Sequence, residues 1–287
     1  MQEFEIAGGT IPGGDHLQRG NLLVGKNNQD AWCVHEDQRI IVAVVADGCG
    51  SHLRSELGSN IGCQLLRTAI SRQWARHAVA AKNQGFEKIL PMVLEAARQD
   101  LIAKLRILSQ DIAGDGSFSQ AICDNFLFTL IGALVTEYGA AFFAIGDGLI
   151  IVNGERQRIG PFEGNEPPYM AYSLVSSTRW KDDAQLRFVV HKTLPLEKLQ
   201  SFMIGSDGAA DLAEAAEKKL PGYPELIGPI DQFWTNDQYF TKAGIRRRLA
   251  LINSRFVSVK DMELQEENPR LKDDTTFIVG RRKGATK

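Results

Sequence analysis

The stretch Ile40-Ile41-Val42-Ala43-Val44-Val45-Ala46-Asp47-Gly48-Cys49-Gly50-Ser51 constrains the fold more than any other. Seven apolar residues run unbroken and stop on a carboxylate followed by glycine. Such a run, bounded by a turn signal, suits a strand covered on both faces. Asp47 then stands at the mouth of a sheet, and Gly48 and Gly50 let the backbone approach whatever it holds. Alone, Asp-Gly is also a common hairpin turn. The pattern recurs, however, in Ala141-Phe142-Phe143-Ala144-Ile145-Gly146-Asp147-Gly148 and in Phe202-Met203-Ile204-Gly205-Ser206-Asp207-Gly208. Near the C-terminus the order reverses, with Asp273-Asp274 leading into Thr275-Thr276-Phe277-Ile278-Val279. Carboxylates that face one another repel unless protonated or bridged by a cation. A divalent metal accounts for bringing several of them together.

Acidic strand ends spread from Asp47 to Asp273 predict one domain over 1–287 rather than two. Lys and Arg number 33 against 35 Asp and Glu, a formal charge of -2 that offers no global attraction to nucleic acid or an anionic membrane. Cys33, Cys49, Cys63 and Cys123 form no C-x-x-C pair, which fits a reducing compartment. Met1-Gln2-Glu3-Phe4-Glu5 lacks the basic start of a secretory signal, and no apolar run is long enough for a membrane span. A cytoplasmic protein is the expectation.

Residues 1–20, with Gly8-Gly9 and Gly13-Gly14, read as a loop-rich lead-in. After Ser51 the spacing becomes helical: Leu53, Leu57, Ile61, Leu65, Leu66, Ile70 and Trp74 predict one amphipathic helix, interrupted at Lys82-Asn83-Gln84-Gly85. Ile89, Leu90, Val93, Leu94, Ala97, Leu101, Ile102, Leu105 and Leu108 predict a second, packed antiparallel to the first over a sheet. Residues 111–124 read as a loop, 126–137 and 139–152 as strands, and 170–176 and 185–190 as further strand. A short helix is expected over 209–219 and helical spacing over 238–252, with a charged loop at 263–270. Leu220 to Trp234, holding Pro221, Pro224 and Pro229, reads as an exposed flap where substrate selection would sit.

Oxygen ligands without histidine or thiolate select hard cations, Mg²⁺ or Mn²⁺ before zinc. None of the five histidines has zinc-motif spacing. Mg²⁺ in enzymes commonly serves phosphate chemistry, and two ions about 4 Å apart support an in-line displacement at phosphorus. No H-C-x5-R signature surrounds Cys49, no Asp-x-Asp occurs, and Ser206 sits in no Gly-x-Ser-x-Gly elbow, which leaves cysteine phosphatases, haloacid-dehalogenase phosphatases and serine hydrolases unsupported.

In sequence order, Asn28-Gln29-Asp30-Ala31, Val45-Ala46-Asp47-Gly48-Cys49-Gly50-Ser51, Ile145-Gly146-Asp147-Gly148, Gly205-Ser206-Asp207-Gly208 and Asp273-Asp274-Thr275-Thr276 resemble the type 2C metal-dependent serine/threonine protein phosphatases, the PPM family. The likeness is to the bacterial branch with Asp-Gly-x-Gly-Ser, and it spans residues 25 to 280. The resemblance implies an α+β fold, a four-layer α-β-β-α sandwich of two mainly antiparallel sheets flanked by helix pairs. It implies two Mg²⁺ or Mn²⁺ ions and a possible third. Asp47 would bridge two ions with help from the Gly48 carbonyl, while Asp207 and Asp273 complete the other ligands. Asp30 would act through water, and Asp147 with Asp207 would hold the third ion. Asp47, Asp207 and Asp273 are thus the expected catalytic set, and a metal-bridging water the attacking group.

Three positions depart from the family pattern. Gly25 stands where an arginine grips the phosphate, Gln29 where a second acid precedes Asp30, and Cys49 where some relatives carry histidine. Lys26, Arg54 and His52 are the substitutes expected to meet the substrate phosphate, with Arg19 a further cation, although lysine lacks the bidentate fork. His52 is also placed to protonate a leaving alkoxide. The implied activity is hydrolysis of phosphoserine and phosphothreonine in proteins, opposing a cognate Ser/Thr kinase. The alternative is a pseudophosphatase that binds a phosphopeptide or partner without turnover, and a small-molecule phosphatase is a third reading.

Overall fold

Side-chain parity along the strands decides the layers. The computed structural model describes residues 3–19, 22–23, 25–52, 54–175, 179–180, 182–260 and 263–284, and only the backbone of 18, 19, 22, 23, 260 and 263–265. The chain begins with β1 (Phe4–Ile11), one helical turn α1 (Gly14–Leu17) and a short rung of β2 (Gln18–Arg19) on β3 (Leu22–Leu23). β4 (Asp30–Glu36) and β5 (Ile40–Gly48) lead into helices α2 (Ser55–Gln84), α3 (Phe86–Ala113) and α4 (Phe118–Asn125). β6 (Phe128–Thr136), β7 (Gly139–Ile145), β8 (Gly148–Val152) and β9 (Glu155–Ile159) follow. β10 (Val189–Leu194) and β11 (Ser201–Gly205) precede helices α5 (Asp207–Glu214), α6 (Gln232–Thr235) and α7 (Gly244–Ile252). The hairpin of β12 (Phe256–Lys260) and β13 (Glu263–Glu267) comes before the final strand, β14 (Thr275–Arg282).

Two five-stranded sheets result, ordered β1-β14-β11-β8-β9 and β10-β7-β6-β5-β4, with every pairing antiparallel. In β5, Ile41, Ala43 and Val45 pack between the sheets with Phe202, Ile204 and Ile278. Val42, Val44 and Ala46 alternate to the other face, beneath Leu66, Ile70, Leu94 and Leu101 of α2 and α3. In the second sheet, Met203, Phe277 and Val279 turn outward to Leu212, Leu249 and Ile252 of α5 and α7. Burial on both faces is why these strands read as continuous apolar runs. The layers are α-β-β-α, as the resemblance implies.

Several local expectations need correction. The lead-in contains β1, paired along its length with β14, and its Gly8 is there for proximity: a Cβ would lie 2.7 Å from the Trp32 ring. The helix face of α2 is also displaced from the expected stripe. Leu57 is exposed and Ile61 and Leu65 are half-buried, whereas Gly58, Ser59, Gly62 and Cys63 are buried; Leu53 lies outside the described residues. Small side chains bring this helix close to its neighbours, and a Cβ on Gly62 would lie 2.2 Å from Phe128 Cζ. The loop expected over 111–124 is the end of α3 and a new helix, α4, whose N-cap Ser117 accepts from the Gln120 amide. Met170–Leu174 is a 3₁₀ turn rather than strand, and β10 starts later than its expected strand. Residues 263–267 form β13 instead of a loop.

The stretch Leu220 to Trp234 is irregular, and it is exposed over Tyr223, Pro224, Glu225 and Leu226 but anchored on either side. Leu220, Ile227 and Phe233 are buried in the layer beneath α7, and Arg248 donates to the carbonyls of Leu226 and Ile227. Apolar anchors between the prolines override their turn-forming character.

Gly58→Ala tests the close approach of α2. Alanine gains about 1 kcal/mol of helix propensity, but its Cβ would lie 2.0 Å from the Asn125 carbonyl oxygen. Overpacking against backbone costs about 1–3 kcal/mol. Urea unfolding should show net destabilisation of roughly 1–2 kcal/mol, and a neutral or stabilised variant contradicts the packing.

Candidate metal centre

Asp47 continues the parity of Ile41, Ala43 and Val45, so its side chain points between the sheets at their open end. The register places Asp30 opposite it on β4 and Thr129 opposite it on β6. Opposed residues have Cβ atoms about 5 Å apart. Two like charges at that spacing repel by about 3 kcal/mol at an effective dielectric near 20, more than a cross-strand pair contributes. The facing sheet adds Asp207 at the start of α5 and Asp273 just before β14.

Asp147 arrives from the turn between β7 and β8. These consecutive strands belong to different sheets, so the chain crosses the sandwich at Gly146-Asp147. Gly146 makes the crossing at φ 93°, a conformation that glycine adopts without steric cost.

Asp47, Gly48, Asp147, Asp207 and Asp273 line one cavity of about 360 Å³, with His16, Thr129 and Asp274. Gly164, Asn165, Pro167 and Tyr169 line it as well, and no residue of Leu220 to Trp234 does. Among the described residues, no arginine or lysine lines it.

Asp30 sits just behind, buried. Ser206 Oγ donates to its Oδ2 at 2.8 Å, while its Oδ1 has no partner. Asp274 is a buried brace whose Oδ1 accepts from the Gly13 amide at 2.7 Å and whose Oδ2 accepts from the Gln29 amide at 2.5 Å. His16 Nδ1 lies 2.7 Å from Asp274 Oδ1, and its Nε2 lies 4.0 Å from Asp273 Oδ1.

The electrostatics follow from crowding. Burial, then the charges of Asp30, Asp207, Asp273 and Asp147, hold the Asp47 carboxyl well above the usual carboxylate range. Burial and the charges of Asp274 and Asp207 do the same to Asp30, against the Ser206 hydrogen bond. Asp207 is pushed up to about 7, by burial first and then by Asp273 and Asp147. Burial raises Asp147 as well; Asp273 is raised by partial removal from water and by the charge of Asp274, with its side chain still 60% exposed. The His16 imidazole is lifted by its contact with Asp274.

The phosphate-contact expectations divide. Lys26 is at the rim, its Nζ donating to the Gly50 carbonyl and its backbone amide to the His16 carbonyl at 2.8 Å. Arg54 does not line the acidic cavity; it borders a separate depression with Ile112, Ser117 and Asp124. His52 does not line the cavity either, and its carbonyl accepts from Gln29. The side chain of Arg19 lies outside the described residues. Gln29 turns its amide to Ser55 and away from the acids, bracing the loop after Asp47. Gly25 adopts φ +61° with open space around it, so a side chain there would be strained.

The family model for protein phosphatase 2C matches residues 17–246, most of the chain. The chain belongs to the protein phosphatase 2C family. Solved structures agree on the fold. The serine/threonine phosphatase Stp1 from Staphylococcus aureus superposes with a TM-score of 0.54 at 16% identity, covering 98% of this chain and 96% of that one. A bacterial serine phosphatase gives 0.51 at 16%, covering 98% of each chain. PppA, a key regulatory component of T6SS in Pseudomonas aeruginosa, gives 0.50 at 17%, covering 97% of each. Compared by sequence with curated proteins, the chain has no match. Among the described residues of this family member, no helix is long and apolar enough to cross a membrane.

The family is metal-dependent, and the residues here fit a divalent cation. The donors are carboxylates without a lining arginine or lysine among the described residues, and the buried Asp30 Oδ1 and Thr129 Oγ1 have no partner. His16, Asp273 and Asp274 offer donor atoms within 4.8 Å of one another, so they too are grouped as a metal site would require.

Asp207 sets a pH prediction. Its folded pKa of about 7 stands above the ordinary 3.8, so between these values the folded chain binds more protons than the unfolded chain. In chelator, the Asp207 contribution is therefore full below about 4 and lost as pH rises through about 7, opposite in sign to that of Asp37, Glu95, Asp100 and Asp183, whose partners hold them low. The loss is roughly 4 kcal/mol from Asp207 alone, the reverse of ordinary acid denaturation. Mn²⁺ should remove the slope. Urea titrations across this window with EDTA or Mn²⁺ measure it, and stability that rises with pH in EDTA contradicts the crowding.

Proposed function

We propose that the chain hydrolyses phosphoserine and phosphothreonine in proteins, in a reaction dependent on Mg²⁺ or Mn²⁺, and so opposes a Ser/Thr kinase. One observation carries this reading: Asp47, Asp147, Asp207 and Asp273, distant in sequence, converge on one open cavity with no lining arginine or lysine among the described residues. Asp47, Asp207 and Asp273 would hold two ions with the Gly48 carbonyl, Asp30 would contribute through water, and Asp147 with Asp207 would take a weaker third. When bound, the ions supply Lewis-acid charge for the phosphoryl oxygens and make water nucleophilic at neutral pH.

The chain's own residues do the rest. Ser206 fixes the Asp30 carboxylate, and Asp274 braces the loop amides of Gly13 and Gln29 behind it. Lys26 is the rim cation for a phosphate oxygen, held beside the cavity by the Gly50 carbonyl. Tyr169 and Pro167 form a wall against the substrate and limit water on that side. Arg54 and His52 have no direct part in this arrangement.

Hydrolysis of p-nitrophenyl phosphate and a phosphothreonine peptide, with and without Mn²⁺, tests the reading in wild type and Asp47→Asn. Metal-dependent turnover should drop at least about a hundredfold in the variant, since loss of such charge stabilisation costs several kcal/mol. The missing arginine at Gly25 favours a second reading, a pseudophosphatase that binds phosphopeptide without turnover. Absence of turnover with either metal, alongside phosphopeptide binding, selects it. Lys26→Ala should raise KM about tenfold with little change in kcat, in keeping with loss of one charge-assisted hydrogen bond; an unchanged KM removes Lys26 from substrate contact.

A further inference from the structure

The geometry points to His16 as a nitrogen ligand of the metal centre, one that favours Mn²⁺ and later first-row dications over Mg²⁺. This inference rests on the metal-dependent reading above. Metal-bound histidines characteristically turn one ring nitrogen to a carboxylate, which orients the ring and fixes the tautomer while the other nitrogen meets the ion. His16 brings one ring nitrogen against a carboxylate, off the hydrogen-bond direction, so the carboxylate positions the ring by proximity and charge. Nδ1 lies 2.7 Å from Asp274 Oδ1, and Asp274 is a buried acid anchored by the amides of Gly13 and Gln29. Nε2 is left on the side of Asp273, 4.0 Å from its Oδ1.

That separation is too long for a hydrogen bond. It lies inside the limit of about 4.2 Å for two donors each about 2.1 Å from one ion, and a right-angle pair at about 3.0 Å is reached by a shift of about 1 Å. His16 lines the same cavity as Asp47 and Asp207, and its side chain is only 11% exposed. Thr129, buried in the cavity wall with an unpartnered hydroxyl, is a second sign that the wall awaits a polar occupant. Two backbone hydrogen bonds hold the His16 turn against the approach to β14: Gly14 donates to the Leu271 carbonyl at 2.8 Å, and Asp15 to that of Lys272 at 3.0 Å. The ring is therefore placed by the segment that carries Asp273 into β14. Imidazole nitrogen suits the later first-row dications better than Mg²⁺, which takes oxygen ligands.

Pulsed electron paramagnetic resonance of the Mn²⁺-loaded full chain reads the ligand directly. Wild type should show a directly bonded ¹⁴N. His16→Gln should lose that coupling, and calorimetric titration should show its preference for Mn²⁺ over Mg²⁺ reduced at least about tenfold. None of His35, His52, His77 and His191 lines the cavity, so the coupling has one source. Mn²⁺ bound in wild type without ¹⁴N coupling overturns the inference and leaves the metal-dependent reading standing. Coupling that survives in His16→Gln overturns it as well. Failure of wild type to bind Mn²⁺ at all overturns both. The wild-type spectrum decides even if the variant does not fold.

Discussion

Repulsion among carboxylates at one end of the sandwich is the constraint on which the rest depends. Asp30 and Asp47 are direct cross-strand partners, and Asp147, Asp207 and Asp273 close on them from the other side. No hydrophobic gain compensates charges at that spacing, so the arrangement needs protons or cations to persist. The surrounding apolar layers make it rigid. β5 is buried on both faces up to Ala46 and cannot move its terminal acid away without exposing Ile41 and Val45. A scaffold that holds such acids together against their own field has the character of a preorganised cation site.

The braces behind the acids are neutral or singly charged, and each bridges segments distant in sequence. Ser206 ties the helix-bearing sheet to Asp30 across the sandwich, and Asp274 joins the first turn of the chain to the loop before β4. These contacts leave the cavity-facing oxygens free. Gly164, Asn165, Pro167 and Tyr169 line the same cavity, so its walls come from a different part of the chain than its acids.

Much of this was legible in the residues because a buried strand ending in Asp-Gly is a local pattern. Asp47, Asp147, Asp207 and Asp273 each follow or precede such a run. The supporting cast was not. His16 and Asp274 acquire their roles only when the first turn packs on the last strand, and no spacing records that meeting. β1 was hidden because Gly8 and Gly9, which look like turn residues, serve close packing against Trp32 and Ile245. The buried face of α2 keeps Leu66, Ile70 and Trp74 of the expected stripe, but its first two turns are built from glycine, serine and cysteine, where counting leucines pointed to Leu57 and Ile61 instead. Prolines in Leu220 to Trp234 suggested exposure, whereas Leu220, Ile227 and Phe233 anchor that stretch in the core. The change of sheet at Gly146-Asp147 is a topological fact that no local periodicity encodes.

Pairing of β1 with β14 has a consequence for synthesis. A ribosome delivers Asp30, Asp47, Asp147 and Asp207 well before Asp273, and the first strand must wait for the last to find its hydrogen-bond partner. Contacts so distant along the chain form late. A nascent polypeptide therefore carries an acid cluster with an open flank, and the acid-lined cavity is completed only when residues 273–282 have emerged.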